Sequence, residues 1–218
     1  MAKQLSIEEA FTNPAPLKPS EKFRDLAIDT TIHYEDLYLC GLAESQYNFI
    51  LHDYSYFQFG IEEEHKVRYA YYPNPFFGAS QEAMGALDEM REYVEEGLIT
   101  YEDYLHQVSD LKLAQHPPVV RYENAPHQYS ELVHPCSHFH FGHHASNRWP
   151  SRRVLTPSSF ALLIFKYFYF DDWHKAAIGN IEGAINGFDQ ILIDARAECR
   201  VLPEALFSNR ELSQPHFF

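Results

Sequence analysis

Two histidines one residue apart, His138 and His140 in the stretch Ser137–Phe141, carry the strongest chemical signal in the chain. On an extended strand, side chains two apart share a face, so both imidazoles point the same way from backbone positions roughly 7 Å apart. An imidazole titrates near neutrality and is also a common ligand of transition metals. Such a pair can therefore work as general acid and base, hold a metal, or sit half-buried in hydrogen bonds to strand neighbours. A metal reading needs further ligands, and His134, His127, Glu123 and Cys136 are the nearby candidates. The ligand set would suit a divalent ion, although its spacing matches no standard structural zinc motif.

The pair lies in a region rich in titratable and cationic groups. From His116 to Arg153 the chain holds His116, His127, His134, His138, His140, His143 and His144, seven of its thirteen histidines. The same window holds Arg121, Arg148, Arg152 and Arg153 against only two acids, Glu123 and Glu131, in a protein of net charge −14. Arg121 and Glu123 fall on one face of a predicted strand. They form either a surface ion pair or a clamp: Arg121 for an oxyanion or phosphate, Glu123 to orient a histidine. His127 follows a turn from which it can enter the same cleft. Arg148 and Arg153 are candidate phosphate-binding residues, since the planar guanidinium fork matches phosphate oxygens, and a solvated loop is the bland alternative. His143 and His144 read as loop residues, and Cys136 reads more simply as a small buried residue than as a nucleophile.

The elements that must position these residues follow from periodicity. Tyr47–Ile61 reads as strand, tight turn near His52 and Asp53, then strand; His65–Tyr72 returns as a strand with Val67, Tyr69 and Tyr71 on one face. Ser80–Leu113 reads as a helical hairpin broken at Gly97. Val119–Tyr122 and Ser137–Phe141 are strands. Thr156 and Pro157 start an apolar helix expected to run to Trp173, and an amphipathic helix is expected over Lys175–Ala197 with Phe188, Ile191 and Leu192 facing inward. Residues 1–20 read as a loosely attached arm with a short helix over Ser6–Phe11, capped by Ser6 and Glu9. The tail from Pro203 reads as irregular. The sum is one α+β domain over residues 1–218, an antiparallel sheet packed against a helical hairpin and two C-terminal helices.

Composition narrows the function classes. An acidic chain does not present the extended basic surface of a non-specific nucleic-acid binder, though it leaves room for one local basic cleft or for a basic protein partner. Three widely spaced cysteines form no disulfide framework, which suits a reducing cytoplasm. No run of eighteen apolar residues is present, so no membrane span is expected. Walker, GxGxxG, GxSxG and HExxH patterns are absent.

The run Arg121–His127, RYENAPH, followed about ten residues later by His138-x-His140, is similar to the toxins of the TumE type in bacterial toxin–antitoxin pairs, in which an Asp takes the place of Glu123. The continuation HPCSHFHFG (His134–Gly142), then Arg148–Pro150, an apolar helix and the aromatic strand YSYFQF (Tyr54–Phe59), also resembles a larger uncharacterised bacterial family with a domain of unknown function. The resemblance to the toxins implies an effector of bacterial or phage conflict systems that acts on RNA. Three functional expectations follow. One is a phosphodiester-cleaving enzyme in which His138 and His140 act as acid and base or as metal ligands. In it Glu123 orients one of them, and Arg121 and Arg148 neutralise developing charge. Another is a non-catalytic binding subunit, antitoxin-like or sensing, that engages a partner protein encoded nearby. The third is a metal-dependent hydrolase of a small substrate, with His134 joining His138 and His140 at the metal.

Overall fold

The computed structural model describes residues 9–11, 15–51, 53–63, 66–76, 89–90, 92–111, 117–178 and 187–217. Its centre is a seven-stranded sheet in which every neighbouring pair is antiparallel and spatial order follows chain order. The strands are β1 (Glu9–Phe11), β2 (Phe49–Leu51), β3 (Tyr56–Glu63), β4 (Lys66–Tyr72), β5 (Val120–Asn124), β6 (Ser137–Phe141) and β7 (Trp149–Pro150). Two short strands, β8 (Arg153–Val154) and β9 (Arg200–Val201), pair separately. The helices are α1 (Glu21–Ile28), α2 (Tyr34–Ala43), α3 (Tyr101–Leu111), α4 (Pro157–Phe168), α5 (Phe170–Ile178), α6 (Gly187–Glu198) and α7 (Asn209–Leu212). The expected α+β class holds.

Alternation along each strand sorts the side chains. One face gathers Phe57, Val67, Tyr69, Tyr71, Val120, Tyr122 and Phe139 and packs on Phe160, Ile164 and Phe165 of α4. The other face, at β3 and β4, carries Tyr56, Ala70 and Tyr72 under Phe23, Leu37 and Tyr38 of α1 and α2. Both faces are thus covered at β3 and β4. Further along this second face, at β5 and β6, the residues change to Arg121, Glu123, His138 and His140, and no apolar cluster claims them.

Several expectations need correction. Glu9–Phe11 is not helical; it is β1, pairing with β2 through Ala10 opposite Ile50. Ser6, its predicted cap, lies outside the described residues. The described end of the arm, residues 15–20, is tied to the sheet: Leu17 donates its backbone N–H to the Phe59 carbonyl, and the Asn48 side-chain amide donates to the Ala15 carbonyl. The apolar helix starts where expected, with Thr156 and Ser159 in a reciprocal capping box behind Pro157, but it stops at Phe168. Tyr169 leaves helical geometry there, and its hydroxyl bonds to Asp53 and meets the Tyr71 hydroxyl at 3.0 Å. That buried polar anchor outweighs continued periodicity. Of the predicted last helix, residues 179–186 are outside the described set. Residues 175–178 end α5, and the rest is α6, with Phe188 buried but Ile191 43% exposed, so Ile191 is not on the inner face.

The tail from Pro203 is irregular apart from the four-residue α7, but it is packed on the fold. Phe207 is buried, and Phe217 packs on Phe139 and Trp149. Glu211 of α7, 3% exposed, accepts hydrogen bonds from the Tyr129 hydroxyl and the Leu132 and Ser208 amides. For the predicted hairpin, α3 is present, and residues 89–90 and 92–95 are helical before Gly97 at φ +72°; residues 77–88 and 91 lie outside the described set.

Candidate metal centre

Register across three strands builds the site. β4 and β5 place Arg68 opposite Glu123 and Ala70 opposite Arg121; β5 and β6 place Glu123 opposite His138 and Arg121 opposite His140. Two cross-strand rows result, Arg68–Glu123–His138 and Ala70–Arg121–His140. Opposed residues on neighbouring strands have close β-carbons, so each row brings its side chains into contact range.

Backbone carbonyls fix the two imidazoles. His138 donates from Nδ1 to the carbonyl of Pro135 at 2.9 Å, and His140 donates from Nδ1 to the carbonyl of Ala145 at 3.1 Å. A carbonyl only accepts, so both rings carry their proton on Nδ1 and leave Nε2 as a bare acceptor. The two Nε2 atoms face each other at 3.1 Å. Two lone pairs at that distance repel unless a cation lies between them. Protonation is a poor solution: burial and the facing His140 push His138 down to about 4, and burial with the Arg121 charge lowers His140 as well. Two imidazoles on one transition-metal ion, each bound at about 2.0–2.1 Å, have nitrogens about 3 Å apart. Glu123 completes the set: one carboxylate oxygen and the two ring nitrogens all lie within 4.8 Å of one another. Both histidines are buried, and Glu123 is partly exposed. An imidazole whose second nitrogen is tied to a carbonyl is the usual arrangement of a metal-binding histidine. Two imidazoles and one carboxylate suit zinc, iron, nickel or similar ions better than magnesium or calcium.

The remaining candidates divide. Arg121 is half-buried, donates to the same Ala145 carbonyl at 3.1 Å, and borders His140. Arg148 is exposed and contacts the Ser146 carbonyl at 3.4 Å, close enough for its charge to bear on His140. His134 stacks edge-on against His138 at 5.0 Å, and its buried Nδ1 has no partner among the described residues; it is not in the converging donor set. His127 sits exposed on a 3-10 turn over Pro126–Gln128, close enough for its charge to bear on Glu62, and is not in the converging donor set. Arg153 is spent elsewhere. Its guanidinium donates to the Cys199 carbonyl at 2.7 Å, capping the end of α6 beneath the opposite face of the sheet. Cys136 is fully buried against Asn124 and burial raises its thiol to about 11, which removes thiolate character. His143 and His144 both donate to the Ile32 carbonyl, pinning the loop after β6 to the turn between α1 and α2.

Arg68 was not singled out in the sequence. Its Nε lies 3.1 Å from the Glu123 carboxylate. Alternation in Lys66–Tyr72 puts it on the polar face, but only strand pairing shows that it meets Glu123.

The family model described as "Uncharacterized conserved protein (DUF2290)" matches residues 13–202. The chain belongs to this family. The matched span holds every residue of the centre and stops before the tail that carries Glu211. The family's description names no activity, so its chemistry must be argued from the site. Neither the search of curated proteins nor that of solved structures gave a match.

Proposed function

We propose that this protein is a metal-dependent hydrolase that cleaves phosphodiester bonds in RNA, a toxin-like effector of a bacterial conflict system, with Glu123, His138 and His140 as the metal ligands. The observation that carries the reading is the convergence of two Nδ1-anchored imidazoles and a carboxylate on one point. The same geometry weighs against a metal-free acid and base pair. Nε2 atoms 3.1 Å apart leave no room for a phosphate between them.

A divalent ion at this point would supply an acidified water and charge neutralisation at a phosphoryl oxygen. The protein's own groups do the rest. The Pro135 and Ala145 carbonyls hold the rings in one tautomer, and Arg121 and Arg148 add positive charge beside His140, where an anionic transition state gains most. Arg68 neutralises the outer side of Glu123. The choice of RNA rests on the likeness of RYENAPH and His-x-His to the TumE-type toxins.

The test is metal analysis of the purified protein beside a His138→Ala/His140→Ala variant, followed by an RNA cleavage assay on both. We expect about one equivalent of transition metal in the wild type, loss of it in the folded variant, and cleavage that stops on chelation and returns with added metal. A wild type that binds no metal would defeat the reading. A wild type that keeps metal but never cleaves would turn the centre into a structural one in a binding subunit.

A further inference from the structure

One strand away from the metal ligands, the polar face of β3 and β4 forms the floor of a cleft of about 510 Å³. Gln58, Gly60, Arg68 and Ala70 line the floor, and residues Pro16–Pro19 form the facing wall. The wall is built into the fold. Leu17 bonds to the Phe59 carbonyl at 2.8 Å, and the Asn48 side chain holds Ala15 at 2.7 Å. Gly60 permits the close approach: a β-carbon there would stand 3.3 Å from the Leu17 carbonyl oxygen and 3.3 Å from that of Arg68.

Charge in the cleft is unevenly engaged. Glu62 on its rim is paired with Lys66. Lys18 on the wall is exposed and pairs with no acid among the described residues, and Arg68 keeps 60% of its side chain exposed although its Nε faces Glu123. Arg68 thus lines the cleft while its Nε is committed to the metal-side carboxylate and most of its side chain stays exposed. Neighbouring strands lie about 5 Å apart, so Arg68 on β4 stands two strands, roughly 10 Å, from the imidazoles on β6, about the spacing from one phosphate to a neighbouring one or two along a strand.

Resting on the reading of the Glu123 centre as the reaction site, we propose that this cleft is the substrate-anchoring subsite, where Arg68 and Lys18 bind a phosphate of the RNA strand that neighbours the scissile one. Arg68 is then a bridge between anchoring and chemistry, since one guanidinium touches both the flanking phosphate and the ligand carboxylate. The occupant is single-stranded. A cleft of this size between a strap and a sheet admits one backbone and not a duplex, and Gln58 on its floor is not free to read a base because its amide donates to the Gln46 carbonyl.

The test uses a fluorescently labelled octauridylate and the full-length chain. Binding is read by anisotropy on EDTA-treated protein, so that metal plays no part, and cleavage is read separately on metal-loaded protein. Arg68→Met should weaken binding about tenfold, Arg68→Lys less, and Lys18→Met about threefold, with a shallower salt dependence in each Met variant. On the loaded protein, Arg68→Met should raise KM more than it lowers kcat. Thermal melts report whether Arg68→Met is folded, and exposed Lys18 on the strap provides a variant that leaves the sheet intact. Wild-type affinity in both Met variants, or no binding by the wild type, overturns the proposal. The two readings fail separately. Arg68-dependent binding by a protein without metal or cleavage would leave the cleft standing and remove the hydrolase. Metal-dependent cleavage with KM unchanged by Arg68→Met would do the reverse.

Discussion

At His138 and His140 the backbone chooses the tautomer. Two carbonyls accept the Nδ1 protons, so the paired Nε2 atoms face each other as acceptors, the arrangement the proposed cation would bridge. Glu123→Gln keeps the shape but removes the charge, and should lower metal affinity at least about tenfold, measured by competition with a chelating dye. Without metal, the pair becomes a liability in acid. Burial lowers His138 from 6.5 to about 4, so between those values the unfolded chain binds more protons than the native one. Stability is then full above about pH 6.5 and falls as the pH drops toward 4, by on the order of 1–3 kcal/mol. Melts of EDTA-treated protein should show a lower Tm at pH 5 than at pH 7.5, and His138→Gln should flatten that slope. An unchanged slope would show that the native imidazole is not held neutral.

Among the elements, α4 and α2 position the sheet that carries the centre. The reciprocal bonds of Thr156 and Ser159 satisfy the first free N–H groups of α4. Thr156→Ala should cost about 1 kcal/mol, a few degrees in Tm for a chain of this size, with metal content retained. Helix α2 is more exacting. At Gly41 an added β-carbon would fall within 1.9 Å of the Tyr56 hydroxyl, which is buried between α2 and the sheet. Gly41→Ala should therefore destabilise by about 1–3 kcal/mol, because the helix must lift off Tyr56 and Tyr72. A melt within a degree of wild type would show that α2 slides freely. At the other end of the site, Glu211 ties α7 to the Tyr129–Leu132 segment, just before Pro135 whose carbonyl orients His138. Glu211→Ala leaves the Tyr129 hydroxyl and two amides unpaired, at about 1–3 kcal/mol for each that stays buried. It should weaken metal retention together with Tm, and intact retention at lowered Tm would confine Glu211 to stability.

For the whole molecule, local pattern and tertiary pairing contributed different things. Aromatic runs, alternation and turn residues make β3, β4, β5 and β6 legible in the sequence; alternation places His138 with His140 and Arg121 with Glu123 on shared faces, because side-chain direction in a strand depends only on neighbours in the chain. Cap chemistry likewise marks the start of α4 at Thr156. The end of that helix was not legible, since Tyr169 is stopped by Asp53 and Tyr71, residues about a hundred positions away. The pairing of Ala10 with Ile50 was hidden for the same reason: a three-residue strand has no period of its own and takes its form from its partner. So was the packing of the tail, whose Phe207, Glu211 and Phe217 find their partners across the fold. The candidate site divides along the same line. The sequence by itself determined that imidazoles, a carboxylate and guanidiniums occur together on strands of one sheet. Only the tertiary structure decided that Glu123 stands opposite His138, that Arg68 reaches Glu123 while Arg153 is turned away to α6, and that both Nε2 atoms point inward. Strand register and carbonyl direction are long-range hydrogen-bond choices, and no local periodicity encodes them.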